Sequence, residues 1–94
     1  MIELTARGDV RVLHMDNGEN RFNGESIAAL HACIDEVEAV EGPVALVTVG
    51  EGKFFSNGLD LDWMNTPEAD AGALVSEVHR LLERVLMLDM VTVA

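Results

Sequence analysis

Apolar and polar positions alternate through Ile2–Ala6 and again through Val10–Met15, and Arg7-Gly8-Asp9 stands between the two runs. Alternation with period two predicts half-buried strands, and a glycine-centred turn between them predicts a hairpin. Asp16-Asn17-Gly18-Glu19-Asn20 is rich in turn formers and predicts a loop. From Gly24 to Val40 the period changes: Ile27, Leu30, Ile34 and Val37 recur at helical spacing, with Glu25, Asp35, Glu36 and Glu38 mostly off that stripe. Asn23 is the expected N-cap, and Gly42-Pro43 the expected stop. Val44–Val49 is short, rich in β-branched residues and bounded by Gly-Pro and Gly-Glu-Gly, which predicts a buried strand. Thr66-Pro67-Glu68 predicts the start of a second helix, whose broad apolar face runs from Leu74 and Val75 to Val85 and Leu86. Both helices are expected to pack on the sheet. No repeat, low-complexity tract or linker divides the chain, so residues 1–94 read as one domain or part of one.

Composition narrows the function classes. The chain is 49% hydrophobic with only two prolines, rich for a lone domain of 94 residues. No stretch approaches the roughly 18 apolar residues of a membrane span, and Glu3 interrupts any secretory pattern at the N-terminus. A single cysteine, Cys33, excludes an internal disulfide and fits a reducing cytoplasm; on the first helix it reads as a small buried hydrophobe. Six basic residues in a chain of net charge −11 cannot neutralise a row of phosphates, which argues against nucleic-acid binding. His14, His31 and His79 lie on separate expected elements with no partner at ligand spacing, so no metal site is expected and structural histidines are.

The segment Val49–Trp63 carries the chemistry. Its glycines, Gly50, Gly52 and Gly58, let the backbone bend and let a ligand approach main-chain N–H groups, the physics of an oxyanion hole. An isolated Gly-x-Gly is more often a turn with no ligand. The segment is not a P-loop, since no Gly-Lys-Ser/Thr follows, and Phe55 replaces the third glycine of a dinucleotide fingerprint. Ser56 is not in a nucleophile elbow, because Phe54 stands where that motif needs glycine. Asp60 could act as a general base, but as the opening of Leu-Asp-Leu-Asp-Trp it reads better as a helix N-cap, and Trp63 as packing.

Gly-Glu-Gly-Lys-Phe-Phe-Ser-Asn-Gly-Leu-Asp-Leu resembles the first signature of the crotonase superfamily, the enoyl-CoA hydratases and isomerases. It matches every fixed position of G-x-G-x-x-F-x-x-G-x-D followed by an apolar residue. The doubled phenylalanine and Ser-Asn are most similar to the Δ3,Δ2-enoyl-CoA isomerase branch. Asn20-Arg21-Phe22-Asn23 sits where the family has a short loop before its first helix. The resemblance covers the chain from Ile2 to Ala94.

It implies an α/β fold, the N-terminal part of a crotonase-like ββα spiral: hairpin, helix, strand, glycine-bearing loop, helix. Val91–Ala94 would begin the next strand. The activity implied is a hydratase (lyase) or isomerase of fatty acid metabolism acting on an acyl-CoA thioester. Coenzyme A enters as part of the substrate, and no cofactor is held permanently. The backbone N–H of Leu59 would be the first oxyanion donor, with Gly58 setting the loop geometry. Ser56, Asn57, Asp60 and Leu61 would line the coenzyme A pocket on one side, and Asn20, Arg21, Phe22 and Gly24 on the other. Arg21 or Lys53 near the mouth would offset the chain's acidity toward a polyanionic ligand. The second donor and the acid/base residue would lie beyond Ala94, leaving the 94 residues inactive alone. The full protein would assemble as a trimer or pair of trimers. The alternative from another class is a non-catalytic acidic α/β module that binds a protein partner.

Overall fold

A computed structural model describes residues 1–94. Strands β1 (Ile2–Arg7) and β2 (Val10–Met15) form the expected antiparallel hairpin, with Leu4 opposite Leu13 and Ile2 opposite Met15. Helix α1 (Gly24–Glu38) then carries the chain over to β3 (Ala45–Gly50), which lies parallel to β2. After the glycine-bearing loop come a single-turn helix α2 (Leu61–Met64), helix α3 (Ala71–Leu86) and β4 (Val91–Val93). β4 pairs parallel to β3, so the sheet order is β1-β2-β3-β4. Two parallel steps, each bridged by helix, follow from chain direction: a parallel neighbour requires a crossover.

One face of the sheet holds the core. Leu13, Met15 and Leu46 meet the α1 stripe of Ile27, Leu30, Ile34 and Val37, together with Leu74 and Leu81 of α3. Ile34 and Val37 are fully buried. Cys33 is buried beside them, and burial raises its thiol pKa, as expected of a small hydrophobe and not a nucleophile. α1 lies on the sheet as expected. α3 finds its nearest backbone neighbour in α1, so it rests on the first helix more than on the sheet. That placement leaves the outer flank of its broad apolar face bare, with Leu82 and Leu86 exposed. Across the interface Arg84 donates to Asp35 (2.6 Å), Glu38 (2.8 Å) and His31 Nδ1 (2.9 Å), which raises the guanidinium pKa through its hydrogen bonds to the carboxylates. The opposite face of the sheet carries no helix. Val10, Val12, Val47 and Val49 floor an open groove there, and Val91 and Val93 extend it along β4.

Two helix boundaries differ from the sequence expectation. α1 stops at Glu38, capped by Ala39, four residues before Gly42, which takes φ +84° in the following turn. α3 begins at Ala71 and not at Thr66-Pro67. The Thr66 hydroxyl donates back to the Trp63 carbonyl (2.7 Å) and closes α2, while Asp70 accepts from the Ala73 N–H (2.9 Å) and caps α3. Both are valid capping residues, and the turn through residues 65–69 uses the first to end one helix before the second starts another.

This assignment is checked by substitution. Asp70→Ala should lose about 1 kcal/mol of stability, the usual value of an N-cap, whereas Thr66→Ala should lose less. Ile34→Ala should lose about 2–5 kcal/mol by emptying the core. Urea melts followed by circular dichroism decide, and a larger loss at Thr66 than at Asp70 would restore the earlier helix start.

Candidate functional site

Two segments far apart in sequence meet beside the N-terminus of α1. Residues 19–22 run parallel to residues 57–60, joined by Asn57 N–H to Glu19 carbonyl (2.9 Å), Phe22 N–H to Gly58 carbonyl (2.7 Å) and Asp60 N–H to Phe22 carbonyl (2.9 Å). The pairing gives Leu59 a strand-like setting. Because the Phe22 bonds go to Gly58 and Asp60, the residues on either side of it, the N–H of Leu59 is turned away from Phe22 and makes no hydrogen bond within the chain. Gly58 reaches this geometry at φ +80°, where a side chain would be strained. The Leu59 side chain packs against the core together with Phe22 and Trp63.

Both flanking helices start here, and their caps are tied together. Asn23 forms a capping box with Ser26: its Oδ1 accepts from the Ser26 N–H (2.9 Å) and the Ser26 Oγ accepts from the Asn23 N–H (2.9 Å). Asp60 caps α2 as expected, accepting from the Trp63 N–H (3.0 Å), and its other oxygen accepts from Asn23 Nδ2 (3.1 Å). The Trp63 bond, then the Asn23 bond, holds the Asp60 carboxyl below its usual pKa. A carboxylate so engaged is a poor general base, which favours the capping role.

The other expected pocket residues divide by what they touch. Asn20 is 4% exposed, and its side chain bonds only to backbone groups of the chain. Ser56 Oγ donates to the Asn20 carbonyl (2.7 Å) and accepts from the Gly58 N–H (3.1 Å). Gly24 opens α1 where a Cβ would come within 2.9 Å of the Trp63 ring, so its smallness serves that packing. Arg21 pairs with Glu19 (2.6 Å) and donates to the Leu59 carbonyl (3.3 Å). Asn57 donates to the same Glu19 carboxylate (3.1 Å), and these two partners, Asn57 first, lower the Glu19 pKa. Leu61 is exposed. Lys53 sits at the surface over the Phe54 ring, 5.5 Å from its centre.

Arg21, Asp60 and Leu61 therefore share a groove of about 630 Å³ with Glu19 and Asp62; Asn20 and Ser56 bond to backbone behind it, and Gly24 opens on a separate cavity beside Trp63. Sequence reasoning did not single out Glu19, which neutralises the main cation at the mouth; nothing in its spacing marks it. Asn23-x-x-Ser26 could have been read as a capping box. The three histidines hold no common site: His14 bonds Thr5 (3.1 Å) and Glu51 (2.9 Å), His31 bonds Arg84, and His79 is exposed. No group of three or more His, Cys, Asp or Glu side chains is placed to hold a metal ion, and no helix is long and apolar enough to cross a membrane.

No protein-family model matches the chain. It is 35% identical over 86 residues to the peroxisomal enoyl-CoA delta isomerase 2 of Arabidopsis thaliana, covering 88% of this chain and 35% of that protein. An enoyl-CoA hydratase from Shewanella pealeana superposes with a TM-score of 0.84 at 25% identity, over 97% of this chain and 37% of the other. A probable enoyl-CoA hydratase from Mycobacterium tuberculosis gives a TM-score of 0.84 at 26% identity, over 97% of this chain and 39% of the other. The chain spans about a third of the length of the curated relatives it matches.

The depressed Asp60 pKa makes a prediction about acid. The group's stabilisation is complete above the ordinary carboxylate pKa and is lost as pH falls through the lowered folded value. Asp60→Asn should therefore reduce the loss of stability between neutral and strongly acidic pH, as read from urea midpoints across that range. An unaltered acid limb would mean that the cap carries no charge-dependent stability.

Proposed function

This is a crotonase-superfamily chain matching the N-terminal part of its relatives, and from that premise we propose that it supplies one oxyanion donor and one pocket wall of an enoyl-CoA isomerase or hydratase. Moving a proton next to a thioester carbonyl produces an enolate, so negative charge grows on the carbonyl oxygen. A fixed N–H aimed at that oxygen stabilises it by on the order of 3 kcal/mol. The observation that carries the reading is the Leu59 N–H, which has no acceptor in the chain while the Gly58 and Asp60 N–H groups on either side both have one. A donor held by its neighbours and left free itself is preorganised, which is the condition for this kind of catalysis.

On this reading the second donor and the acid/base group lie outside residues 1–94. The coenzyme A portion would follow the groove beside Arg21 and Leu61. Because Arg21 is already paired with Glu19, the diphosphate either displaces that carboxylate or relies on cations from elsewhere in the protein. The oligomer, a trimer or pair of trimers, and the compartment are parts of the same proposal. The cytoplasmic expectation rests on Cys33 alone, and one relative carries a peroxisomal name.

Turnover of the longer enzyme with short and long enoyl-CoA thioesters tests the donor. Leu59→Ala keeps the N–H and should affect packing alone, whereas Leu59→Pro removes it and should lower kcat by ~10²–10³. Circular dichroism and thermal melts check that the proline variant is folded. A folded Leu59→Pro enzyme with near-normal turnover would reduce this loop to a structural turn. Residues 1–94 alone should show no turnover; activity there would place the acid/base group inside this chain.

A further inference from the structure

We infer that Asn20 is a positioning residue for the Leu59 N–H and touches no substrate itself; the inference rests on the reading of Leu59 as an oxyanion donor. Asn20 is buried and adopts φ +53°, a left-handed conformation uncommon outside glycine but tolerated by asparagine. Its Nδ2 hydrogens are shared among three carbonyls: Met15 at the end of β2 (3.0 Å), Phe54 (3.2 Å) and Phe55 (3.0 Å). Its Oδ1 accepts from the Asn17 N–H (2.9 Å), closing the turn that presents it. Its own carbonyl accepts from Ser56 Oγ (2.7 Å), and that hydroxyl accepts from the Gly58 N–H (3.1 Å). Asn20 thus clamps residues 54–56 directly and reaches, through one hydroxyl, the residue that precedes the donor.

The residue type is dictated by this geometry. The position needs a two-hydrogen donor, an acceptor on the same planar group and a backbone that accepts positive φ. Aspartate satisfies the last two and would face three carbonyls with a carboxylate. Glycine satisfies only the backbone. None of the Asn20 bonds reaches α1 or α3, so losing them should loosen the loop while the core of Ile34, Val37 and Leu46 stays packed.

The test compares Asn20→Asp, Asn20→Gly and Ser56→Ala in the intact longer enzyme, with Ile34→Val as a control that weakens the core and not the loop. Hydrogen exchange by mass spectrometry reads the peptide containing residues 54–60 against the α3 peptide, and steady-state kinetics reads kcat and KM with an enoyl-CoA thioester. Both Asn20 variants should speed exchange in the loop relative to α3. They should lower kcat by about 10- to 100-fold, as a displacement near 1 Å does, with KM little changed. Ser56→Ala should act in the same direction and more weakly, and it serves if the Asn20 variants do not fold. Ile34→Val should leave kcat and relative loop exchange unchanged. Loop exchange that does not respond to any of the three would overturn the clamp. A large rise in KM at constant kcat in the Asn20 variants would overturn it too, by making Asn20 a substrate contact. A wild-type enzyme inactive on enoyl-CoA thioesters, with loop exchange still governed by Asn20, would uphold the clamp and sink the catalytic reading instead.

Discussion

Two backbone hydrogen bonds, Phe22 N–H to Gly58 and Asp60 N–H to Phe22, join the only two stretches of irregular chain from which the site is built. They lie at the end of a crossover: β2 leads through the 16–22 turn into α1, and β3 leads through the glycine loop back to the same place. Parallel pairing of β2 with β3 makes that meeting unavoidable, because parallel strands end at the same edge of the sheet. The capping of both α1 and α2 then starts within two residues of the pairing, and Asn23 and Asp60 lock one cap to the other. Helix starts and donor direction are anchored at one short parallel bridge, and the Asn20 and Ser56 side chains hold the loop beside it.

Most of the fold was legible because its elements carry their own periodicity. The hairpin, α1, β3 and the apolar face of α3 follow from spacing that local chemistry enforces. The start of α3 departs from the expectation because Thr66 and Asp70 are both cap formers, and only the backbone path through residues 65–69 decides which helix each one serves. At the site, the glycine loop and the Asp60 cap were legible as local features. The roles of Asn20, Ser56 and Glu19 were not. Their bonds run to residues 34 to 38 positions away, and neither composition nor period reports such pairings. The polar atoms of Asn20 and Ser56 are turned to the backbone, a use that their place in the sequence does not report.

Electrostatics shows the same division between what counts and what contacts. A net charge of −11 sits awkwardly with a polyanionic ligand, and the groove itself contains Glu19, Asp60 and Asp62. Two of these are committed: Asp60 to a helix cap and Asn23, Glu19 to Arg21 and Asn57. Charge that is already hydrogen-bonded repels an incoming anion less than a free carboxylate does, and the proposed donor works through a main-chain dipole that net charge does not cancel.

The valine face of the sheet and the acidity of the chain respond differently to ionic strength. Valines on β2, β3 and β4 form a surface that favours contact with any apolar partner, including another copy. Eleven excess negative charges oppose that contact, over a range set by the Debye length, roughly 30 Å at 0.01 M salt and about 8 Å at physiological ionic strength. Salt therefore acts on the two features unequally: added ions shorten the reach of the net charge and leave the apolar character of the valine face unchanged.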